Sequence, residues 1–364
     1  MRILPLILGL VGTSTLLADG FYVGTYTKDS TSKGIYHGEL DAKTGALGNV
    51  ALAGEAANPS FVTLSKDGKF LYAAQEDATP SVGAFRVEPG GKLTPLGQMP
   101  SGGKDPCHVS LDRTGRFLFV ANYTGGSVAA FSIKPDGSFD KRTALVQFTG
   151  SGPNESRQSS PHLHSIYASA DNRFVYACDL GTDKVRILNF DAKTGALSGD
   201  ASASVPGGAG PRHLAFSADG KYAYSANEMG LSVTAFSIDA KTGALTPMQS
   251  ILAHDLPNNR ASQSLAEIEI HPSGKWLYVS SRGDNTLSVF EISTDGKLTL
   301  LQNTAAGAKV PRGFALSPDG SWFVVAGQDD DRITTFAIDP KSGRLEPTSA
   351  AATVGKPVSI LFAK

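Results

Sequence analysis

The sequence has few of the features that define several common classes of protein. Its 364 residues contain only two cysteines, Cys107 and Cys178, and carry a formal net charge of −1. Two cysteines exclude a dense disulfide scaffold, and their surroundings form no metal-binding motif. Their spacing allows a disulfide, but we expect two reduced thiols that pack in neighbouring parts of the fold. The near-zero charge argues against a nucleic-acid partner.

Long apolar runs are also missing, except at the N-terminus. Residues 1–18 combine one early arginine, an apolar run and small residues, which is typical of a secretory signal peptide cleaved near Ala18. Leu16 is unfavourable three residues before that cleavage site, and the alternative is a buried N-terminal strand of a cytoplasmic protein. No other stretch could span a bilayer. We therefore expect an exported protein, periplasmic or secreted and free of the membrane once the signal is removed, with residues 19–364 as one domain.

The common catalytic motifs are absent. The sequence has no Gly-rich phosphate loop, no His-Glu-x-x-His pair and no Gly-x-Ser-x-Gly elbow. His162 and His164 lie two apart on one predicted strand and could bind a metal, but no third ligand is nearby. We therefore predict neither a metal nor a cofactor.

What the sequence has in abundance is a repeated hairpin. Residues 210–228, GPRHLAFSADGKYAYSANE, form two short apolar runs joined by a turn at Asp219-Gly220. Asp-Gly between strand formers is a strong hairpin signal, because glycine accepts the positive φ of tight turns. Related second strands begin at Tyr22, Phe70, Phe117, Phe174, Tyr222, Trp276 and Trp322. Their turns recur at intervals of 46 to 57 residues.

A second element alternates with the hairpins. Asp-Ala-Lys-Thr-Gly-Ala-Leu occurs at 41–47, 191–197 and 239–245, with a variant at 339–345. Each repeat therefore has four strands, which at this period is typical of a propeller blade. The first blade has only three strands, and Pro357–Phe362 has no hairpin partner after it. We predict an all-β, seven-bladed β-propeller with four antiparallel strands per blade, in which this C-terminal strand joins the N-terminal blade and closes the ring.

Aligning the hairpins identifies two sets of positions at one end of the blades. The start of the first strand holds Ser60, Cys107, His164, Arg212, Ala266, Arg312 and Val358. The position just past the second strand holds Tyr26, Glu76, Tyr123, Leu180, Glu228, Arg282 and Gln328. These positions should lie side by side opposite the turn, and the first strand of a propeller blade lies nearest the axis. We expect one mouth of the channel to be ringed by His164, Arg212, Arg282, Arg312, Glu228 and Gln328, with His108 and His213 beside them.

The plainest interpretation of this ring is structural, since charged residues at strand ends are usually solvated or pair between blades. Three blades nevertheless place a basic group at the mouth, with Glu228 among them. Arginine binds carboxylate or phosphate as a fork, so the set favours an anionic ligand. The polar insertions at 149–161 and 254–264 are where a rigid scaffold usually carries specificity.

Several motifs resemble those of the seven-bladed propeller lactonase family. They are Pro106-Cys-His-Val-Ser, Pro161-His-Leu-His-Ser, Gly210-Pro-Arg-His-Leu-Ala-Phe, His271-Pro-Ser-Gly-Lys-Trp-Leu-Tyr-Val-Ser and Pro311-Arg-Gly-Phe-Ala-Leu. The family contains bacterial 6-phosphogluconolactonases and fungal carboxymuconate-lactonising enzymes. The resemblance runs from Phe21 to the C-terminus and implies a catalytic cluster of His164, Arg212, Glu228 and Arg282. It also implies a cytosolic enzyme, whereas the N-terminal segment of this chain predicts export.

The leading hypothesis is a lactonase that opens a sugar-acid lactone, with 6-phosphogluconolactone as the candidate that the resemblance implies. Glu228 would be the general base, and Arg212 with His164 would stabilise the oxyanion. Arg282 would hold the anionic group of the substrate, with Arg312, Gln328, His108 and His213 as further binding residues. The alternatives are cyclisation of a muconate-type diacid and a non-catalytic exported binding propeller. We expect a monomer whose partner is the small anionic substrate.

Overall fold

The computed structural model describes residues 18–254 and 262–363. Within these residues the chain forms seven four-stranded antiparallel sheets, numbered here β1 to β28 in chain order. The strands of blades 1 to 4 are β1 (Ala18–Thr25), β2 (Gly34–Asp41), β3 (Ala51–Glu55), β4 (Pro59–Leu64), β5 (Phe70–Gln75), β6 (Ser81–Val87), β7 (Leu93–Pro100), β8 (Pro106–Leu111), β9 (Phe117–Asn122), β10 (Ser127–Ile133), β11 (Phe139–Gln147), β12 (Leu163–Ala168), β13 (Phe174–Asp179), β14 (Lys184–Asp191) and β15 (Ala196–Ser204).

The remaining strands complete the ring. They are β16 (Pro211–Phe216), β17 (Tyr222–Asn227), β18 (Ser232–Ile238), β19 (Leu245–Leu252), β20 (Ser264–Ile270), β21 (Trp276–Arg282), β22 (Thr286–Ile292), β23 (Leu298–Ala305), β24 (Pro311–Leu316), β25 (Trp322–Gly327), β26 (Arg332–Ile338), β27 (Leu345–Thr353) and β28 (Pro357–Phe362). Two single 3₁₀ turns, Pro89–Gly91 and Leu180–Thr182, interrupt the described loops. The predicted seven-bladed propeller is confirmed.

Ring closure follows the predicted route. Strand β28 pairs antiparallel with β1, from Phe362 opposite Phe21 to Pro357 opposite Thr25, so blade 1 has the order β28-β1-β2-β3. The first strands of adjacent blades contact one another all the way round, through β4, β8, β12, β16, β20, β24 and β28. These strands therefore line the axis of the ring.

A one-residue bulge lies near the start of every inner strand, and the sequence did not reveal it. In blade 5, Pro211 pairs with Asn227 and His213 pairs with Ala226, so Arg212 has no partner opposite it. The same shift leaves out Ser60, Cys107, His164, Arg312 and Val358, and in β20 it falls between Leu265 and Ile268. Arg212 therefore lies beside Glu228, as predicted, without pairing with it in the ladder. An extra residue in one strand bends it and re-aims its side chain.

The two repeated sequence elements contact each other between blades. The buried Tyr176 of β13 donates its hydroxyl to the carbonyl of Gly243, in the outer turn of the next blade, at 3.0 Å. Gly243 has a φ of +72°, and a Cβ there would lie 2.6 Å from the ring of Phe174. Tyr72, Tyr224 and Tyr278 make the equivalent bonds to Gly137, Gly296 and Gly343. The repeated glycine therefore serves both the turn and the packing of neighbouring blades.

One sequence prediction falls at the limit of the described residues. The predicted signal peptide covers residues 1–18, of which 1–17 lie outside them, and Ala18 is the first residue of β1, opposite Asp41. Both Cys107 and Cys178 are buried free thiols. Burial raises the pKa of Cys178 to about 12, so it packs as a neutral side chain. No helix within the described ranges has the length and apolar character needed to cross a membrane.

Candidate active site

Three arginines surround the carboxylate of Glu228, which follows β17 at the end of the hairpin opposite its turn. Oε1 lies 2.6 Å from Nη2 of Arg157. Oε2 lies 3.2 Å from Nε of Arg212 and 2.9 Å from Nη2 of Arg282. Glu228 is only 4% exposed and Arg212 only 2%. Buried ion pairs of this kind hold one another in place, because removing one partner leaves an uncompensated charge out of water.

Hydrogen bonds to backbone groups orient Glu228, Arg212 and Arg282. The N–H of Glu228 donates to the carbonyl of Gly210 at 2.7 Å, which joins the two ends of the hairpin. Nη1 of Arg212 donates to the carbonyl of Ala266 in the next blade, and Nη2 of Arg282 donates to that of Leu265. The guanidinium groups are thus oriented before any ligand arrives, which lowers the cost of binding an anion.

The charges set the protonation of the carboxylate. Burial raises the pKa of Glu228, but the positive charges of Arg282, Arg212 and Arg157 outweigh burial and lower it to about 2. Burial lowers the pKa of Arg282 to about 10, against the opposing effect of Glu228. At neutral pH the carboxylate is therefore ionised and the arginines are cationic. A carboxylate held this firmly by cations is a weak proton acceptor.

Arg312 belongs to a second chain of contacts at the same end of the channel. Its Nη2 donates to the hydroxyl of Tyr26 at 3.0 Å, and that hydroxyl donates to Oε2 of Glu76 at 2.8 Å. Together with Arg157, Arg212 and Arg282, the group has four guanidinium groups against the carboxylates of Glu228 and Glu76. The end of the channel therefore carries a surplus of positive charge, as the sequence-based expectation of an anionic ligand requires.

His164 lies beside the arginines, as predicted. Its ring is 5.5 Å from that of Tyr123 and 5.2 Å from that of His213, and Nδ1 is 3.9 Å from Sγ of Cys107. Burial lowers the pKa of His164 well below its usual value, and the charge of Arg212 lowers it further. The imidazole is therefore neutral at neutral pH, with one nitrogen as donor and the other as acceptor.

His213 lies next to His164, and His108 lies next to His213. Their rings are 5.3 Å apart, and His108 also packs against Phe61 at 4.3 Å. Nδ1 of His213 lies 2.7 Å from Oε1 of Glu267, a carboxylate on the inner strand of blade 6. Burial raises the pKa of Glu267 to about 7. This histidine–carboxylate pair was not anticipated as a pair.

Gln328 borders a side cavity and is not among the residues that contact Glu228 in the described structure. It borders a cavity of about 340 Å³ together with Tyr26, Lys28, Asn58, Glu76 and Lys356. Its Nε2 donates to Asp329 at 2.9 Å. Because Tyr26 and Glu76 connect this cavity to Arg312, Gln328 lies at the side of the site.

His162, which lies two positions before His164, is held by Tyr123. The two rings stack at 4.5 Å, and Nδ1 of His162 lies 3.2 Å from the backbone oxygen of Tyr123. Within residues 18–254 and 262–363, no three acidic, histidine or cysteine side chains converge as a metal site would require. Both histidines thus serve to enclose Tyr123.

Arg157 and Glu267 were missed by the sequence reasoning. Arg157 lies in the polar insertion at 149–161, which composition marked as a candidate specificity loop without singling out a residue. The loop is anchored by the fully buried Gln158, whose Nε2 donates to the carbonyl of Leu180 and to Oδ1 of Asp183 at 2.8 Å each. Glu267 interrupts an apolar inner strand, Leu-Ala-Glu-Ile, and that interruption was the available signal.

These features define the class of the protein as a seven-bladed propeller with a cluster of arginines around the buried Glu228 at one end of the ring. The chain belongs to the family described as Lactonase, 7-bladed beta-propeller, whose model matches residues 20–362. It is therefore a lactonase-family enzyme, and the non-catalytic alternative is not retained.

Relatives of the chain carry lactonase names. It is 34% identical over 346 residues to a 6-phosphogluconolactonase of Bacillus subtilis, covering 94% of this chain and 97% of the relative. It is 32% identical to a 6-phosphogluconolactonase of Formosa agariphila, covering 89% and 94%. Among solved structures it is similar to a periplasmic gluconolactonase of Pseudomonas aeruginosa, with a TM-score of 0.89, 30% identity and coverage of 95% and 99%.

Proposed function

We infer that the chain hydrolyses a sugar-acid lactone at the arginine-lined end of the channel. The observation that carries this proposal is the set of three arginines around the buried carboxylate of Glu228, with more positive charge than that carboxylate neutralises. Lactone hydrolysis places negative charge on the carbonyl oxygen and ends in a carboxylate. Fixed donors that face such charge stabilise it without reorganisation.

Each side chain has a proposed role in this reaction. Arg212, with neutral His164 beside it, would face the developing oxyanion. Arg282 and the half-exposed Arg157 would bind the anionic part of the substrate or product. The sequence suggests Glu228 as the general base, but its three ion pairs support another role, which is to hold the arginines in position. An efficient base has a pKa near the working pH, whereas the pKa of Glu228 is about 2.

The side cavity next to Arg312 is the proposed place for the far end of the sugar. Its lining carries two lysines, Lys28 and Lys356, and three carboxylates, Asp29, Glu76 and Asp105. With Arg312 these charges balance, so the cavity suits hydroxyl groups at least as well as a phosphate. We propose glucono-1,5-lactone and its 6-phosphate as the substrates. The resemblance to relatives named gluconolactonase and 6-phosphogluconolactonase supports this pair of substrates.

The test is a panel of lactones, phosphorylated and unphosphorylated, assayed by pH-stat with the purified protein and corrected for spontaneous hydrolysis. We expect saturable hydrolysis of a gluconolactone, and Arg212→Gln should lower kcat by roughly 10²–10³-fold, the usual effect of removing one oxyanion donor. A matched control is Arg173→Gln, since Arg173 is an exposed arginine paired with Asp171 outside the site. Hydrolysis of every lactone at the spontaneous rate would overturn the proposal.

A further inference from the structure

We propose that His213 and Glu267 form the proton-accepting dyad of the reaction, with Nε2 of His213 as the general base and Glu267 as its positioning residue. This inference rests on the proposed lactone hydrolysis. It assigns the proton transfer to a pair of residues outside the predicted cluster of His164, Arg212, Glu228 and Arg282.

The hydrogen bonds of Glu267 fix which nitrogen of His213 carries the proton. Oε1 of Glu267 accepts the backbone N–H of Ile268 at 3.0 Å and lies 2.7 Å from Nδ1 of His213. An ionised carboxylate can only accept hydrogen bonds, so with Glu267 ionised the second contact requires Nδ1 of His213 as the donor. The lone pair of the neutral imidazole is then on Nε2. An imidazole oriented by a carboxylate in this way is the arrangement that serves as the base in other hydrolases.

Nε2 of His213 is the second observation. It is buried and, within the described residues, has no hydrogen-bond partner. Leaving a polar atom buried without a partner is unfavourable, so a buried free lone pair suits a ligand or water molecule that donates a hydrogen bond to it. The ring is enclosed by those of His164, His108 and Phe61, at 5.2, 5.3 and 5.6 Å. A water on Nε2 would therefore lie beside the histidine that the family resemblance places at the reacting carbonyl.

The charges around His213 keep it in the form that can accept a proton. Burial lowers the pKa of His213 well below its usual value, and the positive charges of Arg212, Arg312 and Arg282 lower it further. The imidazole is therefore unprotonated at neutral pH. Glu228, by contrast, has both carboxylate oxygens within ion-pair distance of an arginine.

Hydrolysis by the dyad passes through one tetrahedral intermediate. The oxygen of water bonds to the lactone carbonyl carbon as its proton passes to Nε2 of His213, and the carbonyl oxygen becomes an oxyanion facing Arg212. The tetrahedral intermediate then breaks the bond between that carbon and the ring oxygen. The ring oxygen takes the proton from Nε2 and becomes a hydroxyl. This transfer regenerates the neutral imidazole, and the new carboxyl group loses its own proton to solvent.

Two shape-preserving variants test the dyad. His213→Gln removes the base, and Glu267→Gln keeps an oxygen that can accept from Nδ1 but removes the negative charge that stabilises the imidazolium formed in the step. We expect each to lower kcat for glucono-1,5-lactone by roughly 10²–10⁴-fold, with KM changed only a few-fold. Rates are normalised to the folded fraction from unfolding curves, so loss of stability does not count as loss of catalysis.

His271→Gln is the matched control. It removes another buried histidine of blade 6, bonded to the carbonyl of Gly320 at 2.9 Å, far along the strand from the arginines. We expect it to lower stability and leave kcat unchanged. If either variant of the dyad fails to fold, the other decides.

The dyad is overturned when a folded His213→Gln or Glu267→Gln variant keeps kcat within about threefold of the wild type while Arg212→Gln loses it. In that case lactone hydrolysis itself stands. If the wild type hydrolyses no lactone, both the proposed function and the dyad fall. A large loss of kcat in both dyad variants and none in His271→Gln supports the dyad.

Discussion

Arg212 and Glu228 lie sixteen positions apart in the sequence and meet with Nε of Arg212 3.2 Å from Oε2 of Glu228. The hairpin turn brings their strands together, but the bulge at Arg212 allows the contact. Without the bulge, Arg212 would pair with a residue of β17. Here Pro211 and His213, on either side of it, make the pairs with β17, and Arg212 makes none. The same bulge recurs near the start of the inner strand in each blade. One local irregularity, repeated round the ring, thus concentrates polar side chains at one end of the channel.

The first prediction concerns the role of Glu228 in catalysis. Glu228→Gln keeps the shape of the side chain and removes its charge. Because we propose that Glu228 holds the arginines, kcat should fall by no more than about tenfold while KM changes through the displaced guanidinium groups. Steady-state rates with glucono-1,5-lactone measure both. A loss of kcat of roughly 10²–10⁴-fold with unchanged KM would instead identify Glu228 as the base.

Acid stability gives a second prediction about the same residue. The folded pKa of Glu228 is about 2, below its ordinary value of 4.5, so its ion pairs stabilise the protein above pH 4.5. That stabilisation, up to about 3 kcal/mol, is lost as the pH falls from 4.5 towards 2. The free energy of unfolding, measured in denaturant at pH 7 and pH 3, should therefore differ less between wild type and Glu228→Gln at pH 3. An equal difference at both pH values would contradict the three ion pairs.

Arg157 provides a third prediction, because it is the one member of the cluster supplied by a loop. Its side chain is 42% exposed and Nη2 also lies 3.2 Å from the hydroxyl of Tyr123. We expect Arg157→Gln to raise KM several-fold and to change kcat little, since exposed ion pairs contribute less than buried ones. Arg173→Gln serves again as the exposed control. A large fall in kcat with constant KM would place Arg157 at the reacting group instead.

Ring closure is tested by truncation. Deleting residues 357–364 removes β28, whose buried Val358, Ile360 and Phe362 contact blade 1 and its neighbours. Each such side chain contributes about 1.5–3 kcal/mol on burial, and the deletion also exposes the edge of β1. The truncated chain should lose its cooperative thermal transition in circular dichroism. Removing only Ala363 and Lys364, which leaves β28 intact, should have a small effect, and a stable chain without β28 would refute closure by this strand.

Export of the protein is the last prediction. Residues 1–18 have the sequence pattern of a signal peptide, and one similar structure is a periplasmic gluconolactonase. Fractionation of cells that express the full chain, with N-terminal sequencing of the purified product, should find it outside the cytoplasm and starting near Asp19. A product that retains Met1 and stays with the cytoplasmic fraction would show that the segment is not a signal.

The sequence by itself determined the number of blades, the closure of the ring and most of the polar end of the channel. These follow from alternation along single strands and from turn residues at fixed positions, which are local properties that repetition makes conspicuous. Thus Glu228, Arg212, Arg282 and His164 could be placed together from hairpin alignment before any contact was known.

Only the tertiary structure decided what those residues touch. The bulge changes the register by one residue, and no local pattern marks it in a run such as Pro-Arg-His-Leu. Arg157 reaches Glu228 from a loop seventy-one positions earlier, and His213 meets Glu267 across a blade boundary fifty-four positions away. Contacts of this kind depend on how separate blades stack round a shared axis. The protonation of Glu228 depends in turn on those contacts, because three neighbouring cations and burial act on it together.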